Sequence, residues 1–295
     1  LATHTADTTD VHGIPTTGAL ETASDVTAAL RGHAGDADPH ADRAWASANL
    51  ASKTALGYNA RDYGVVADGV TLDTAAFNAC LAAAPAGSTI RLPVGTILVH
   101  PTSHHTIIVS RKNITIEGAG RDATVIKVKD SAGNYDCVVS DGRTTAPYTD
   151  VGGLTLRHLT IDQNAANNPI SDVSGGGPLF TGDSRTAVRA WAGTDITVED
   201  CRFINADSTA VISARGTGMK RLRVRNCLFD QIGPGARHAH ASIYFDGDGV
   251  EVALCEFIGA GQAALSAIET HGPNQKIVNN TVRGYFQGCS ISGQF

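Results

Sequence analysis

Four short stretches in the second half of the chain are versions of one phrase. They are ITVEDCRF from residue 196, LRVRNCLF from 222, VEVALCEF from 250 and QKIVNNTV from 275, with starts 26, 28 and 25 residues apart. A repeat of this length is a unit that cannot bury its apolar face alone and must stack on its neighbours. Within each copy Val, Ile, Leu and Thr alternate with Arg, Glu and Lys, the period of a strand with one buried face. One such strand per copy predicts a parallel β-helix, each turn lying about 4.8 Å above the last, so that equivalent residues form columns. Chemistry on such a coil is carried by columns of outward side chains.

A second set of segments extends the register. AVRAWAG at 187–193, AVISARG at 210–216, ASIYFDG at 241–247 and ALSAIET at 264–270 align without gaps and predict a column of Ala187, Ala210, Ala241 and Ala264. Phe203, Phe229, Phe257 and Val282 form a second expected column, and Cys201, Cys227, Cys255 and Asn280 a third. Strands in register hold their Cβ atoms about one strand spacing apart, wider than the ~3.8 Å a disulfide prefers. The cysteine column therefore reads as thiols packed as small apolar groups, consistent with assembly in a reducing cytoplasm. Cys80, Cys137 and Cys289 sit elsewhere and make no Cys-x-x-Cys pair.

The composition fits a narrow aliphatic coil better than a helical bundle: aromatic residues are 5% and 32 residues are glycine. A net charge of −6 without a basic run argues against nucleic acid. No stretch approaches the ~20 apolar residues that insert in a membrane. The polar start LATHTADTTD is unlike a secretory leader and lacks an initiator Met, and SISGQF ends inside the repeat pattern. Both ends are expected to be cut points within a longer protein, since coils need caps.

Residues 1–57 differ from the rest. ALETASDVTAAL predicts a helix with a heptad stripe of Ala19, Ala23, Val26 and Leu30. Asp38 and Pro39 open a second, with Trp45 its large anchor. Helices this short and weakly apolar need a partner, and a three-chain bundle leading into the coil is expected. His4, His12, His33 and His40 lie here. In a trimer one axial histidine would supply three metal ligands; the preferred reading is surface polar groups, with no metal and no cofactor.

THTADTTDVHGI at 3–14 and GHAGDADPHADRAWA at 32–46 resemble stretches of minor tail proteins and tail fibres of bacteriophages, notably those infecting actinobacteria. Residues 58–99 resemble the opening of the pectate-lyase-like β-helix superfamily, matching at Asp62, Gly64, Asp68, Gly69, Asp73, Thr74, Ala76, Gly87, Leu92, Pro93, Gly95 and Thr96. The local physics agrees. Asp73 is placed to cap a helix running to about Ala84, and Pro85 stops it. The stripe Ala76, Phe77, Cys80, Leu81 and Ala84 can lie across the open first turn, and Gly95 permits a bend. The second resemblance implies a mainly β, right-handed single-stranded parallel β-helix over 58–295, preceded by the short helical oligomerisation and attachment segment 1–57. That superfamily includes pectin-degrading enzymes, polygalacturonases and phage tail spikes, the spikes usually homotrimers. Together the resemblances imply a tail spike or fibre: a homotrimer assembled in the host cytoplasm, carried in the virion, contacting other tail proteins and host cell-surface polysaccharide.

The predicted register also stacks Arg215, Asp246 and Glu269 on three successive turns, with Asp248 and His271 two residues further on. Carboxyl groups about 5–5.5 Å apart suit a retaining glycosidase and a wider pair an inverting one. Asp246 and Glu269 are therefore the candidate acids, supported by Arg215, whose fork suits a carboxylate, and by His271. The same column also reads as an ordinary charge ladder on a solvated turn. Calcium held by Asp246, Asp248 and Glu269, as a lyase would need, ranks lower. HAH at 238–240 and the excursion 163–185, with Trp191 at its base, are loops of the kind that carry function. Glycan binding by a structural tail protein ranks first, glycan cleavage second and a free secreted pectinase third.

Overall fold

In the computed structural model the described residues are 57–101, 105–132, 135, 137–140, 152–168, 185–190, 193–206, 210–232, 241–259 and 264–292. The expected N-terminal helices and their four histidines lie outside them, as do Trp191, the HAH segment and most of the 163–185 excursion.

The chain is a parallel β-solenoid with three faces. The first face runs from Tyr58–Asn59 through Thr89–Arg91, Thr115–Glu117, Thr155–Arg157 and Thr194–Glu199 to Gln275–Val278. The second is an eight-stranded sheet from Asp68–Leu72 to Thr281–Arg283. The third holds His105–Ile108, Cys137–Ser140, Thr186–Ala190, Ala264–His271 and Tyr285–Ser292. The long strands Ala210–Arg225 and Ala241–Ala253 belong to the third face in their first halves and to the first face in their second, bending at a register shift between Arg215 and Lys220.

Corners are made by single left-handed residues. Between the first and second faces they are His158, Asp200, Asn226, Leu254 and Asn279, with φ of 57, 50, 50, 58 and 56°. Asn and Asp enter this conformation readily because their short polar side chains hydrogen-bond locally. At Gly95, φ is 121° and a Cβ would stand 2.2 Å from the Ala67 carbonyl oxygen, so the bend expected there admits only glycine.

Inside, the phenylalanine column stands as expected: Phe203 faces Phe229, Phe229 faces Phe257 and Phe257 faces Val282. The rings stack at 5.0 and 4.6 Å, close to the strand spacing. Toward the start of the coil the column continues as Ile161, Ile126 and Ile97. The cysteines are free, and Cys201, Cys227 and Cys255 are buried. Each thiol donates to backbone carbonyls, as Cys227 does to Arg225 at 3.2 Å and Val198 at 3.6 Å. Burial pushes the Cys227 thiol well up, which makes it a packing group and not a nucleophile. At the fourth position the Asn280 amide accepts from the Cys255 N–H at 2.9 Å and donates to the Val252 carbonyl at 2.9 Å.

The helix Thr74–Ala83 buries Phe77, Cys80 and Leu81, as its stripe requires. Asp73 precedes it but makes no side-chain cap. Its buried carboxylate instead accepts from Val66 N at 2.8 Å and Ala67 N at 3.1 Å, tying down the opening turn. The Asn78 amide accepts from Ile108 N at 3.0 Å and donates to the Thr106 carbonyl at 2.8 Å, so the helix completes the edge of the third face's first strand.

The alanine column holds only in part. Ala210 faces Ala241, but Ala241 faces Ser266 and Val188 faces Ile212. Ala187 and Ala264 therefore leave the column, by one and two residues. The reason is burial. The observed register stacks Val188, Ile212, Ile243 and Ile268 in one inward line, and branched side chains gain more from leaving water than methyl groups do. A one-residue slip would also have turned Arg189 into the core.

Candidate functional site

The site lies on the outside of the third face, where the register builds two parallel polar columns. One runs Ser140, Arg189, Ser213, Tyr244, Glu269 and Ser290. The other runs Arg215, Asp246, His271 and Ser292. Strand alternation points Arg189, Ser213, Tyr244 and Glu269 of the first, and Asp246 and His271 of the second, away from the core. Nonetheless Ser140, Arg189 and Ser213 are buried, at 0, 4 and 0% exposure. The columns come into the open at Tyr244 and Glu269, which are half-buried, and at Asp246, which is exposed. Buried Ser213 keeps a hydroxyl with no hydrogen-bond partner among the described residues.

At the open end four side chains converge. His271 Nε2 lies 3.1 Å from Glu269 Oε1. On its other side Nδ1 is hydrogen-bonded to Ser292 Oγ. The Tyr244 ring packs against the imidazole, centroids 5.3 Å apart and tilted by 43°. Register explains the cluster: His271 stacks between Asp246 and Ser292, while Glu269, two residues earlier on the same face, stacks on Tyr244.

The stacking of Arg215 on Asp246 is as expected. The stacking of Asp246 on Glu269 is not: His271 takes that position and Glu269 falls opposite Tyr244. The two carboxylates are diagonal neighbours, their backbones roughly 8 Å apart from one strand spacing and two residue rises, and not stacked on one position as expected. The cause is the two-residue shift that brings Ile268 against Ile243. Asp248 is drawn into the corner, where it faces Lys220 and accepts from Asn274 Nδ2 at 2.7 Å. Tyr244 and Ser292 escaped sequence reasoning. Aligning the isoleucines instead of the alanines would have found Tyr244, but not Ser292, because Cys289 and not Ile291 stands opposite Ile268.

Other polar groups on the coil have structural partners. On the first face Arg157 pairs with Glu117 at 3.0 Å, and Glu251 with Arg225 at 2.6 Å and Lys276 at 3.0 Å. Hydrogen bonds from Arg225 and Lys276 hold the Glu251 carboxyl below its usual range. At the corner His158 Nδ1 meets Asp200 Oδ2 at 2.9 Å, and Asn226 donates to the same carboxylate at 3.1 Å. Where the chain re-enters the third face, the buried Arg185 guanidinium lies 5.7 Å over the Tyr135 ring. Burial pushes the Tyr135 hydroxyl up to about 12. Among the described residues no three His, Cys, Asp or Glu side chains gather as a metal site, and no helix is long and apolar enough to cross a membrane.

A long match bears on this geometry. Residues 57–281 fit the family described as rhamnogalacturonase A/epimerase, pectate lyase-like. The chain belongs to that family. The mannuronan C5-epimerase AlgE6 of Azotobacter vinelandii is 32% identical over 117 residues, which are 38% of this chain and 13% of the epimerase. AlgE1 of the same organism is 39% identical over 116 residues, 38% of this chain and 8% of that protein. The chain thus spans a small fraction of the length of these relatives. Among solved structures, the pre-mature gene product 12 of bacteriophage phi29 has a TM-score of 0.56 at 17% identity, covering 85% of this chain and 35% of that one. At such identity the likeness is one of fold.

Proposed function

We propose that this protein is part of a phage tail spike or fibre and binds host cell-surface glycan on its third face, around Tyr244, Asp246, Glu269 and His271. The observation that carries the reading is the open polar and aromatic cluster at the end of a column that is otherwise shielded. An aromatic ring offers an apolar face to sugar C–H groups, and carboxylates accept from sugar hydroxyls in charge-assisted hydrogen bonds. Membership of a carbohydrate-enzyme family, a fold shared with a phage phi29 protein, and the tail-fibre wording of residues 1–57 support the same assignment. The working form is a homotrimer in the virion, joined to other tail proteins.

Two measurements test it. Light scattering of the full chain is expected to return the mass of a trimer; a monomer removes the tail reading. Titration with envelope polysaccharide from actinobacterial hosts is expected to show binding that Tyr244→Ala weakens about tenfold, the ~1.4 kcal/mol equivalent of one stacking contact, with the melting temperature unchanged. Equal binding by the variant removes the site.

A second reading is catalysis on the same face, favoured by the imidazole of His271 beside the Glu269 carboxylate. An oriented imidazole is a proton-transfer device. Asp246 and Glu269, set diagonally, remain the acids for cleavage, and the similarity to C5-epimerases brings in proton exchange at a sugar carbon. Mannuronan is the defined probe. New reducing ends or solvent deuterium at C5, lost in Glu269→Gln, would favour catalysis; neither leaves binding alone.

A further inference from the structure

We propose that Glu269, His271 and Ser292 form a nucleophile relay that removes ester-linked acyl groups from the glycan bound on the third face. The proposal rests on the glycan-binding reading for its substrate, an O-acylated sugar, but its chemistry can be tested separately.

An ionised carboxylate only accepts hydrogen bonds. Glu269 Oε1, 3.1 Å from His271 Nε2, therefore selects the tautomer that carries its proton on Nε2. In the neutral ring this leaves the lone pair on Nδ1, the atom bonded to Ser292 Oγ, so the serine hydroxyl must donate. A hydroxyl donating to an imidazole that a carboxylate orients is the general arrangement of an activated serine. The strand register holds it in place: Ser292 is the stacked neighbour of His271, and Glu269 lies two residues before His271 on the same face. Tyr244 packs on the ring from the preceding turn and limits its rotation. Ser292 is exposed and can meet a substrate, whereas Ser213 in the adjacent column is buried.

The steps balance. Ser292 Oγ attacks the ester carbonyl carbon and its proton passes to His271 Nδ1. The bond from that carbon to the sugar oxygen breaks, and His271 returns the proton to the leaving sugar hydroxyl. Water then attacks the acyl-serine carbonyl carbon and gives up a proton to His271; the bond from that carbon to Ser292 Oγ breaks, His271 returns the proton to Oγ, and the carboxylic acid leaves. No oxidant, reductant or metal is required.

The test uses the full chain with three probes: a fluorophosphonate, p-nitrophenyl acetate and an O-acetylated mannuronan. The wild type is expected to be labelled at Ser292, identified by peptide mass, and to release acetate from both esters. Ser292→Ala is expected to lose the label and on the order of a thousandfold in hydrolysis with the melting temperature unchanged. His271→Ala is expected to lose at least about a hundredfold. A chain that binds glycan but takes no label and releases no acetate overturns the relay and leaves the binding site standing. Labelling and small-ester hydrolysis that depend on Ser292, without glycan binding, would support the relay and overturn the glycan reading. Hydrolysis undiminished in Ser292→Ala overturns the proposal.

Discussion

Leu254 occupies a corner position whose other members are His158, Asp200, Asn226 and Asn279. It is held at φ 58° with its side chain 62% exposed. The substitution Leu254→Asn separates backbone strain from burial there. A leucine in the left-handed region costs about 1–2 kcal/mol, most of which asparagine avoids. A fully buried leucine is worth about 1.5–3 kcal/mol, so the third or so that is covered here contributes about 0.5–1 kcal/mol. Asparagine in the column can also repeat the bond its neighbour makes, Asn226 Nδ2 to Asp200 Oδ1 at 3.1 Å, worth about 0.5–1.5 kcal/mol net. The balance favours the variant by about 1 kcal/mol, or about 2–4 °C in melting temperature for a domain of this size. Differential scanning calorimetry of the two chains, at matched concentration, measures it. The reverse change, Asn226→Leu, is expected to lower the melting temperature by at least as much. If Leu254→Asn melts at or below the parent, the corner is not under the strain its backbone implies and the reasoning fails.

Three further outcomes follow from contacts described above. Asp73→Ala strips two N–H groups, Val66 and Ala67, of their acceptor at a buried site, and is expected to cost about 2–4 kcal/mol in chemical denaturation; a loss under 1 kcal/mol would show the opening turn to be held by other means. Asp195, which accepts from Arg221 Nε at 2.5 Å and Nη2 at 2.6 Å, and Glu251 have folded pKa values depressed by their Arg and Lys partners, so their contribution is present above the ordinary carboxylate range and is lost as pH falls through the lowered values. Asp195→Asn with Glu251→Gln is therefore expected to flatten the acid limb of the melting-temperature profile, and an unchanged limb counts against these pairs. Cys289 is the one exposed cysteine of six, so a thiol reagent is expected to modify one site quickly under native conditions and the rest only on unfolding; rapid loss of further thiols would contradict the buried ladder.

The parts of this architecture that sequence made legible are those fixed by position inside each repeat. Phe203, Phe229 and Phe257, like the three cysteines two residues before them, sit at one place in every phrase, so their columns needed no knowledge of loop length. The third-face strands follow loops of unequal length, and small residues there gave false anchors. Alanine matched alanine, but the coil set Ile268 against Ile243, and that shift moved Glu269 away from Asp246 and onto Tyr244. Arg215 and Asp246 were paired correctly because their two strands also share their isoleucines in that register. Asp73 was rightly placed at the head of the helix, yet its carboxylate went to the backbone of residues 66 and 67, a contact across a turn that helix signals do not report.

The side chain of Asn78 gives this winding chain a direction. Its oxygen and nitrogen already hold one N–H and one carbonyl of the first third-face strand, so a foreign segment approaching from that side finds these two partners taken. Exposed strand margins invite uncontrolled polymerisation. One amide on a ten-residue helix thus serves as a stopper against head-on growth, and Asn78→Leu, which keeps the bulk but not the polar atoms, would leave that margin adhesive.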